Sequence, residues 1–294
     1  MKYLEYCIFI FFKGLISLIP LRILYIYSGM NAFLFRYIIR YRLKTVTQNL
    51  KKSFPEKNDR EIKTITSRFY KNLCDTIVES IKGYSLSIRQ LKKRYIIKNI
   101  EVADKYYEKN QGIILALSHC GNWEWGSQIV GSVFKHYLYS FYKPLSNKHI
   151  DKYIYRQRTK RNLNLLSAYV PHIPGKLKET RPVGYFFISD QNPGGSKKVI
   201  WTKFLNQDTA CFRGIEVFAR QSGMPVIYFD VQRTKRGFYT VELEELVTDP
   251  YITAAGEITE KYMKKLESLI VGKPEDWLWS HRRWKLKKPA MILQ

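Results

Sequence analysis

GIILALSHCGNWE, residues Gly112 to Glu124, decides how the rest of the chain is read. Its first half, Gly112 to Leu117, is an unbroken apolar run with the length and character of a strand buried on both faces. Its second half sets His119 and Glu124 five residues apart, with Gly121 and Asn122 between them. On one regular helix, five steps of about 100° would leave these side chains roughly 140° apart, facing away from each other. They can cooperate only if a helix begins between them. Gly121 permits a tight turn and Asn122 is a good helix N-cap, so His119 is expected in the loop at the strand's end and Glu124 in the first helical turn.

The same rhythm extends along the chain. "YIIKNIEV" (95–102), "YLYSFY" (137–142), "VGYFFIS" (183–189) and "PVIYFDVQ" (225–232) read as further strands, and 122–136, 147–161, 213–222 and 254–270 read as helices. This alternation implies an α/β fold, a mainly parallel sheet flanked by helices. "RTKRG" followed by "FYTVELEEL" predicts an antiparallel hairpin near one edge. Upstream, residues 58–83 read as an amphipathic helix capped by Asn58 or Asp59. Its apolar face carries Ile62, Ile65, Phe69, Leu73, Ile77 and Ile81, and Gly83 is its stop. With no internal repeat and no low-complexity linker, two parts are expected: a helical membrane-anchor region, 1–44, and one α/β domain, 45–294.

Residues 3–39 are dense in Ile, Leu, Phe and Tyr, but Lys13 and Arg22 cut them, leaving Ile23 to Phe35 as the longest uncharged piece. That falls short of the roughly 18 to 20 apolar residues of a clear spanning helix. Arg36, Arg40, Arg42, Lys44, Lys51 and Lys52 follow. Apolar segment then basic cluster is the order expected at an anionic cytoplasmic leaflet, as a short span or an in-plane helix. A helix buried in the domain is the alternative; a cleaved signal peptide lacks a small-residue cleavage site.

Fifty Lys and Arg against 25 Asp and Glu give a net charge of +25, beside a hydrophobic content of 45% and an aromatic content of 15%. Basic and greasy together point to a phospholipid surface. A soluble, merely basic enzyme is the other reading. No nucleic acid partner is expected, because the cations are scattered and no zinc-finger or RNA-binding signature occurs. Cys7, Cys74, Cys120 and Cys211 form no C-x-x-C pair, which fits reduced thiols in the cytosol. No His/Cys cluster has metal-ligand spacing, so no metal is expected.

A carboxylate bonded to one imidazole nitrogen fixes the tautomer and leaves the other nitrogen free to accept a proton. The loop after a strand is also where active sites of α/β sheets lie. This chemistry needs no serine or cysteine nucleophile; Cys120 is next door in sequence, but such a neighbour need not point at the same site. About 0.4 His-x4-acid pairs arise by chance in a chain of this composition, so the preceding strand and the Gly-Asn helix start carry the weight.

"SHCGNWEWG" resembles the H-x4-D/E motif of the lysophospholipid acyltransferase superfamily, and its Glu and Trp resemble the branch of late acyltransferases of lipid A biosynthesis. The resemblance covers almost the whole chain. "YRLKTVTQNLKKSFPEKNDREI" is similar to the branch's segment linking anchor to domain, and "PEDWLWSHRRWK" to its C-terminal segment. "YKPLSNKHIDKYIYRQR" resembles a stretch whose R-x-R pair is implicated in substrate binding, which maps to Arg158 with Arg156 as second choice. "ISDQNP" maps to Asp190 and Gln191. "FLNQDTACFRGIEVFARQSGMPVIY" is similar to the block with a Phe-Phe-Gly turn and a helix-opening glycine, here Gly214. Two departures stand out: Phe204-Leu205-Asn206 replaces Phe-Phe-Gly, and Phe212-Arg213 precedes Gly214 where a small residue is usual. Asn can adopt positive φ, so the turn can survive.

The resemblance implies transfer of a fatty acyl group from an acyl carrier protein or coenzyme A thioester to a hydroxyl of a membrane lipid, foremost a lipid A precursor. The thioester is a co-substrate and no cofactor is implied. His119 is then the general base and Glu124 its orienting carboxylate. Arg158, Asp190, Gln191, Asn122 and Gly214 form the expected substrate-binding set. The expected location is the bacterial inner membrane, with the site on the cytoplasmic side. A lysophospholipid, an aminoacyl lipid or a glycosylated phosphoinositide is the alternative acceptor; a non-catalytic basic protein on anionic lipid or nucleic acid is the alternative class. Plainer roles remain open: a solvated helix face for Arg158, a turn cap before Pro193-Gly194-Gly195 for Asp190, and either substrate or phosphate contact for His281-Arg282-Arg283. His136, His149 and His172 lack an acid at the same offset and are expected to be structural.

Overall fold

The computed structural model describes residues 1–168, 179–194 and 198–289; His172 and Gly195 lie outside them. Its strands are β1 (Tyr95–Ile97), β2 (Ile113–Leu117), β3 (Tyr137–Tyr142), β4 (Leu163–Ser167), β5 (Val183–Ile188), β6 (Ile200–Phe204), β7 (Gln207–Cys211), β8 (Val226–Lys235) and β9 (Phe238–Val247). The helices are α1 (Lys2–Leu18), α2 (Leu21–Phe33), α3 (Leu43–Ser53), α4 (Asp59–Gly83), α5 (Ile88–Lys92), α6 (Glu101–Glu108), α7 (Trp123–Ile129), α8 (Lys148–Thr159), α9 (Gly214–Ser222) and α10 (Glu257–Gly272).

Seven strands form one sheet in the order β1-β9-β8-β2-β5-β3-β4. All neighbours are parallel except β8 and β9, which form the expected antiparallel hairpin, and β1 extends the sheet beyond β9. Every residue of β2 is buried, as its composition requires of a central strand. Its side chains alternate between two cores. Ile114 and Ala116 join Phe69 of α4, Ile215 of α9 and Leu266 of α10 on one face; Ile113, Leu115 and Leu117 join Leu24 of α2, Ala103 of α6 and Trp125 of α7 on the other.

Several local readings change. "YIIKNIEV" gives only three strand residues, because Glu101 and Asp104 occupy the first turn of α6. The edge strand β4 and the hairpin β6–β7 are short and partly exposed, so their apolar pattern is weak. In that hairpin Leu205 and Asn206 have φ of 47° and 64°, and Phe204 pairs directly with Gln207. This two-residue turn normally wants Asn or Gly at both positions. Burial of Leu205, 1% exposed, offsets its strained backbone.

Asn58 caps α4 in a reciprocal capping box with Glu61. The apolar stripe expected of this helix ends early, since Ile77 is exposed and the buried positions of the second half are Cys74, Asp75, Glu79, Lys82 and the terminal Gly83. Upstream, no helix among the described residues is long and apolar enough to cross a membrane. Helix α1 buries none of its residues and exposes Leu4, Phe11 and Phe12. Helix α2 buries Leu21, Leu24, Ser28 and Ala32 and packs along α4, so the helices on either side of residue 44 share a surface.

Candidate active site

Strands β2 and β5 are parallel neighbours in a register that sets Leu117 beside Ile188. Two residues beyond each lie His119 and Asp190, brought together by equal offsets from paired strand ends. His119 Nδ1 is 2.7 Å from Asp190 Oδ1, and the His119 backbone N–H donates to Asp190 Oδ2 at 3.0 Å. The indole Nε1 of Trp277 donates to the same Oδ2 at 2.8 Å. Asp190 is 1% exposed. Burial alone would raise its pKa, but the His119 ring charge and these three donors outweigh it and bring the carboxyl down to about 2. An ionised carboxylate only accepts, so in the neutral ring Nδ1 carries the proton and Nε2 presents its lone pair. Nε2 faces the Gln191 amide Nε2 at 3.3 Å.

Helix α7 does begin between His119 and Glu124. Gly121 turns the chain with φ of 58°, and the Asn122 side chain accepts from the Trp125 N–H. Glu124 nevertheless does not take the place expected for it. Its Oε1 accepts from Arg158 of α8 at 2.5 Å, and the carboxylate on the imidazole is that of Asp190. As the second residue of a helix leaving the strand end, Glu124 is carried toward α8, whereas Asp190 arrives on the neighbouring strand. Glu124 and Arg158 keep 20% and 19% side-chain exposure, with Glu124 Oε2 and Arg158 Nε buried and unpartnered. This pair therefore has spare hydrogen-bonding capacity beside the His119 loop.

A pocket of about 20 Å³ opens at His119, walled by Trp123, Trp277, Asn72 and Arg233. It admits about one water-sized group, a hydroxyl rather than an acyl chain. The Trp123 ring meets the imidazole edge-on with centroids 5.0 Å apart. The C-terminal segment pins this loop: the Gly121 N–H donates to the Asp276 carbonyl at 3.2 Å, and Cys120 pairs with Trp277 as an isolated bridge.

Below the turn lies a buried polar network absent from the sequence reading. Glu79 of α4 accepts from Asn122 Nδ2 at 3.0 Å, Tyr239 Oη at 2.6 Å and Tyr25 Oη at 2.8 Å, with Arg233 at 3.8 Å. Burial raises its pKa, while Arg233 and these donors oppose the rise. Asp75, one turn earlier, takes Arg233, Arg236 and Ser28. The polar half of α4 thus ties α2, the β8–β9 hairpin and the Asn122 cap together. Two acids breaking an apolar stripe were the available signal, since such groups are buried only when partnered.

The other expected site residues are more dispersed. Gly214 opens α9 and its nearest neighbour is the Phe187 ring, which an added Cβ would meet at an ordinary 3.5 Å. The Cys120 thiol is buried and pushed well above its usual pKa by desolvation, so it is no nucleophile. His136 is buried with Nε2 3.3 Å from the Gln111 carbonyl, and desolvation brings its pKa down to about 4, a neutral structural group. His149 packs against the Tyr3 and Tyr6 rings. Among the described residues no group of three or more His, Cys, Asp or Glu is placed to hold a metal ion.

Residues 1–286 match the family model of the bacterial lipid A biosynthesis acyltransferases. The chain belongs to this family. It is 24% identical over 259 residues to the lipid A biosynthesis palmitoleoyltransferase of Escherichia coli (strain K12), covering 86% of this chain and 81% of that one. The lipid A biosynthesis acyltransferase of Shigella flexneri matches to the same extent. A lipid A biosynthesis lauroyltransferase of Escherichia coli (strain K12) is 23% identical over 263 residues, 88% of this chain and 84% of that one. The protein is thus an acyltransferase, and His119, Asp190, Glu124 and Arg158 are the polar groups its fold gathers at the strand ends.

Proposed function

We propose that this acyltransferase moves a fatty acyl group from a thioester of acyl carrier protein or coenzyme A to a hydroxyl of a lipid A precursor at the cytoplasmic face of the bacterial inner membrane. The observation that carries the reading is the His119–Asp190 pair, a partly exposed imidazole fixed in one tautomer by a buried, ionised carboxylate. The acceptor O–H replaces the Gln191 amide on Nε2 and gives up its proton there as its oxygen attacks the thioester carbonyl. The new C–O bond forms, the C–S bond breaks, and the imidazolium returns its proton to the departing thiolate. Asp190 stabilises the imidazolium in between. Arg158 and Glu124, with unpartnered atoms beside this loop, hold polar groups of donor or acceptor. The small pocket at His119 seats the hydroxyl, and the acyl chain lies outside it along the exposed apolar side of α1 and α2. In washed membranes His119→Ala is expected to reduce acyl transfer to background at unchanged protein level; retained activity would refute the assignment.

A further inference from the structure

A second cleft, of about 520 Å³, lies between α3 and the segment after α10. Arg40, Arg42, Lys44, Lys52, Arg282 and Lys285 line it, and no Asp or Glu does. All six are exposed, and none forms a salt bridge with a described residue. Other surface lysines do find partners, Lys51 with Asp59 and Lys98 with Glu242 among them. The three segments outside the described residues contain no Asp or Glu either. Gathering six like charges around one concavity costs repulsion that an anion in the cleft would reverse.

The cleft is built rather than incidental. Arg40 and Arg42 have φ of 52° and 51°, the left-handed region that non-glycine residues seldom occupy. The bend is pinned where it forms. Tyr70 Oη donates to the Tyr41 carbonyl at 2.5 Å, and the Tyr41 N–H to the Phe35 carbonyl at 2.8 Å. Arg42 NH1 donates to the Ser280 carbonyl at 2.9 Å, and Asn49 Nδ2 to the Trp279 and His281 carbonyls at 3.0 Å each. These contacts fix α3 against the segment whose Trp277 holds Asp190, so one C-terminal segment borders both the cleft and the pocket at His119.

The ligand chemistry follows from what adjoins the cleft. Tyr37, Ile38 and Ile39 run directly into Arg40 and are 52%, 65% and 60% exposed, continuing the apolar surface of α2 that Ile26, Met30 and Phe33 expose. A basic concavity at the end of an exposed apolar face suits a ligand with a multiply charged head and hydrocarbon chains. Trp284, in the cleft wall, offers a flat surface for a sugar or glycerol backbone. A phosphate monoester carries more charge and more terminal oxygens than a diester, matching several cations that converge without acids.

We propose that this cleft seats a phosphate monoester of the acceptor lipid's headgroup, holding that lipid beside the His119 loop. The proposal rests on the reading that the acceptor is a membrane lipid. The test is flotation of purified full-length protein with phosphatidylcholine vesicles containing phosphatidate, or phosphatidylglycerol at matched surface charge, with inorganic phosphate as competitor. The parent is expected to bind phosphatidate vesicles roughly tenfold tighter than phosphatidylglycerol vesicles. Lys44→Ala/Lys285→Ala, two exposed changes checked by thermal melting, should weaken phosphatidate binding by about 20- to 30-fold. It should also remove the preference. Equal affinity for both vesicles, an unaffected double variant, or full displacement by phosphate at concentrations equal to the lipid phosphate would overturn the proposal. So would a double variant that binds vesicles normally but loses a purified acidic carrier protein, which would give the cleft to a protein partner. His119→Ala should keep the vesicle preference, so failure of the catalytic assignment and failure of this cleft read out separately.

Discussion

Asp190→Asn tests the catalytic reasoning most directly. In the parent, Asp190 accepts from His119 Nδ1, the His119 backbone N–H and Trp277 Nε1. A fall in its pKa from 3.8 to about 2 corresponds to roughly 2–3 kcal/mol favouring the ionised form. Burial works against that fall, so the His119 ring charge and the three donors together outweigh the desolvation of the carboxylate. The same carboxylate stabilises the imidazolium that forms when His119 takes the acceptor's proton. Asparagine removes this and adds a second fault. With its oxygen kept by the backbone and indole donors, its NH2 faces Nδ1, which drives the ring proton to Nε2, where the acceptor's proton must go. The combined loss in kcat/KM should be about 10²- to 10⁴-fold. The assay is acyl transfer in washed membranes at matched protein level, with lipid products read by mass spectrometry. Parent-like activity in Asp190→Asn, beside a dead His119→Ala, would refute the account of Asp190. Stability gives a second readout. The folded-state pKa is depressed, so the contribution is present above the usual carboxylate range and disappears as pH falls through about 2. The stability gap between parent and Asp190→Asn should close over that interval in urea titrations.

Two further changes probe the frame under the site. Gly121→Ala places a Cβ 3.0 Å from Val231 Cγ1 at φ of 58°; a loss of about 1–2 kcal/mol, or roughly 3–6 °C in Tm, is expected, together with reduced acyl transfer. An unchanged melt and full activity would show that the turn geometry is dispensable. Glu79→Ala strips the buried partner from Asn122, Tyr25 and Tyr239 and leaves Arg233 with the Asp75 carboxylate and the Asn72 side-chain oxygen. A loss of about 3–5 kcal/mol in urea unfolding is expected, and one below about 1 kcal/mol would show that the network contributes little.

What the amino-acid sequence determined by itself is whatever depends on neighbours along the chain. The unbroken apolar run of β2 demanded a strand buried on both faces, and Gly121-Asn122 demanded a turn and a helix cap after it. The alternation of strands and helices demanded a largely parallel sheet, and Asn58 with Glu61 demanded a capped start to α4. The apolar residues before Arg36 demanded a greasy surface, but not how much of it α2 would bury on α4. The partner of the imidazole was different in kind. Glu124 is close to His119 in sequence, yet a helix's second residue follows the helix, here toward Arg158. Asp190 lies 71 residues away and meets His119 only because β5 inserts between β2 and β3, which puts two parallel strand ends in register. Glu79 and Asp75 found their cations and hydroxyls by the same long-range route. Strand order is set by burial of whole faces rather than by any local pattern, so only the tertiary structure could decide which acid orients His119.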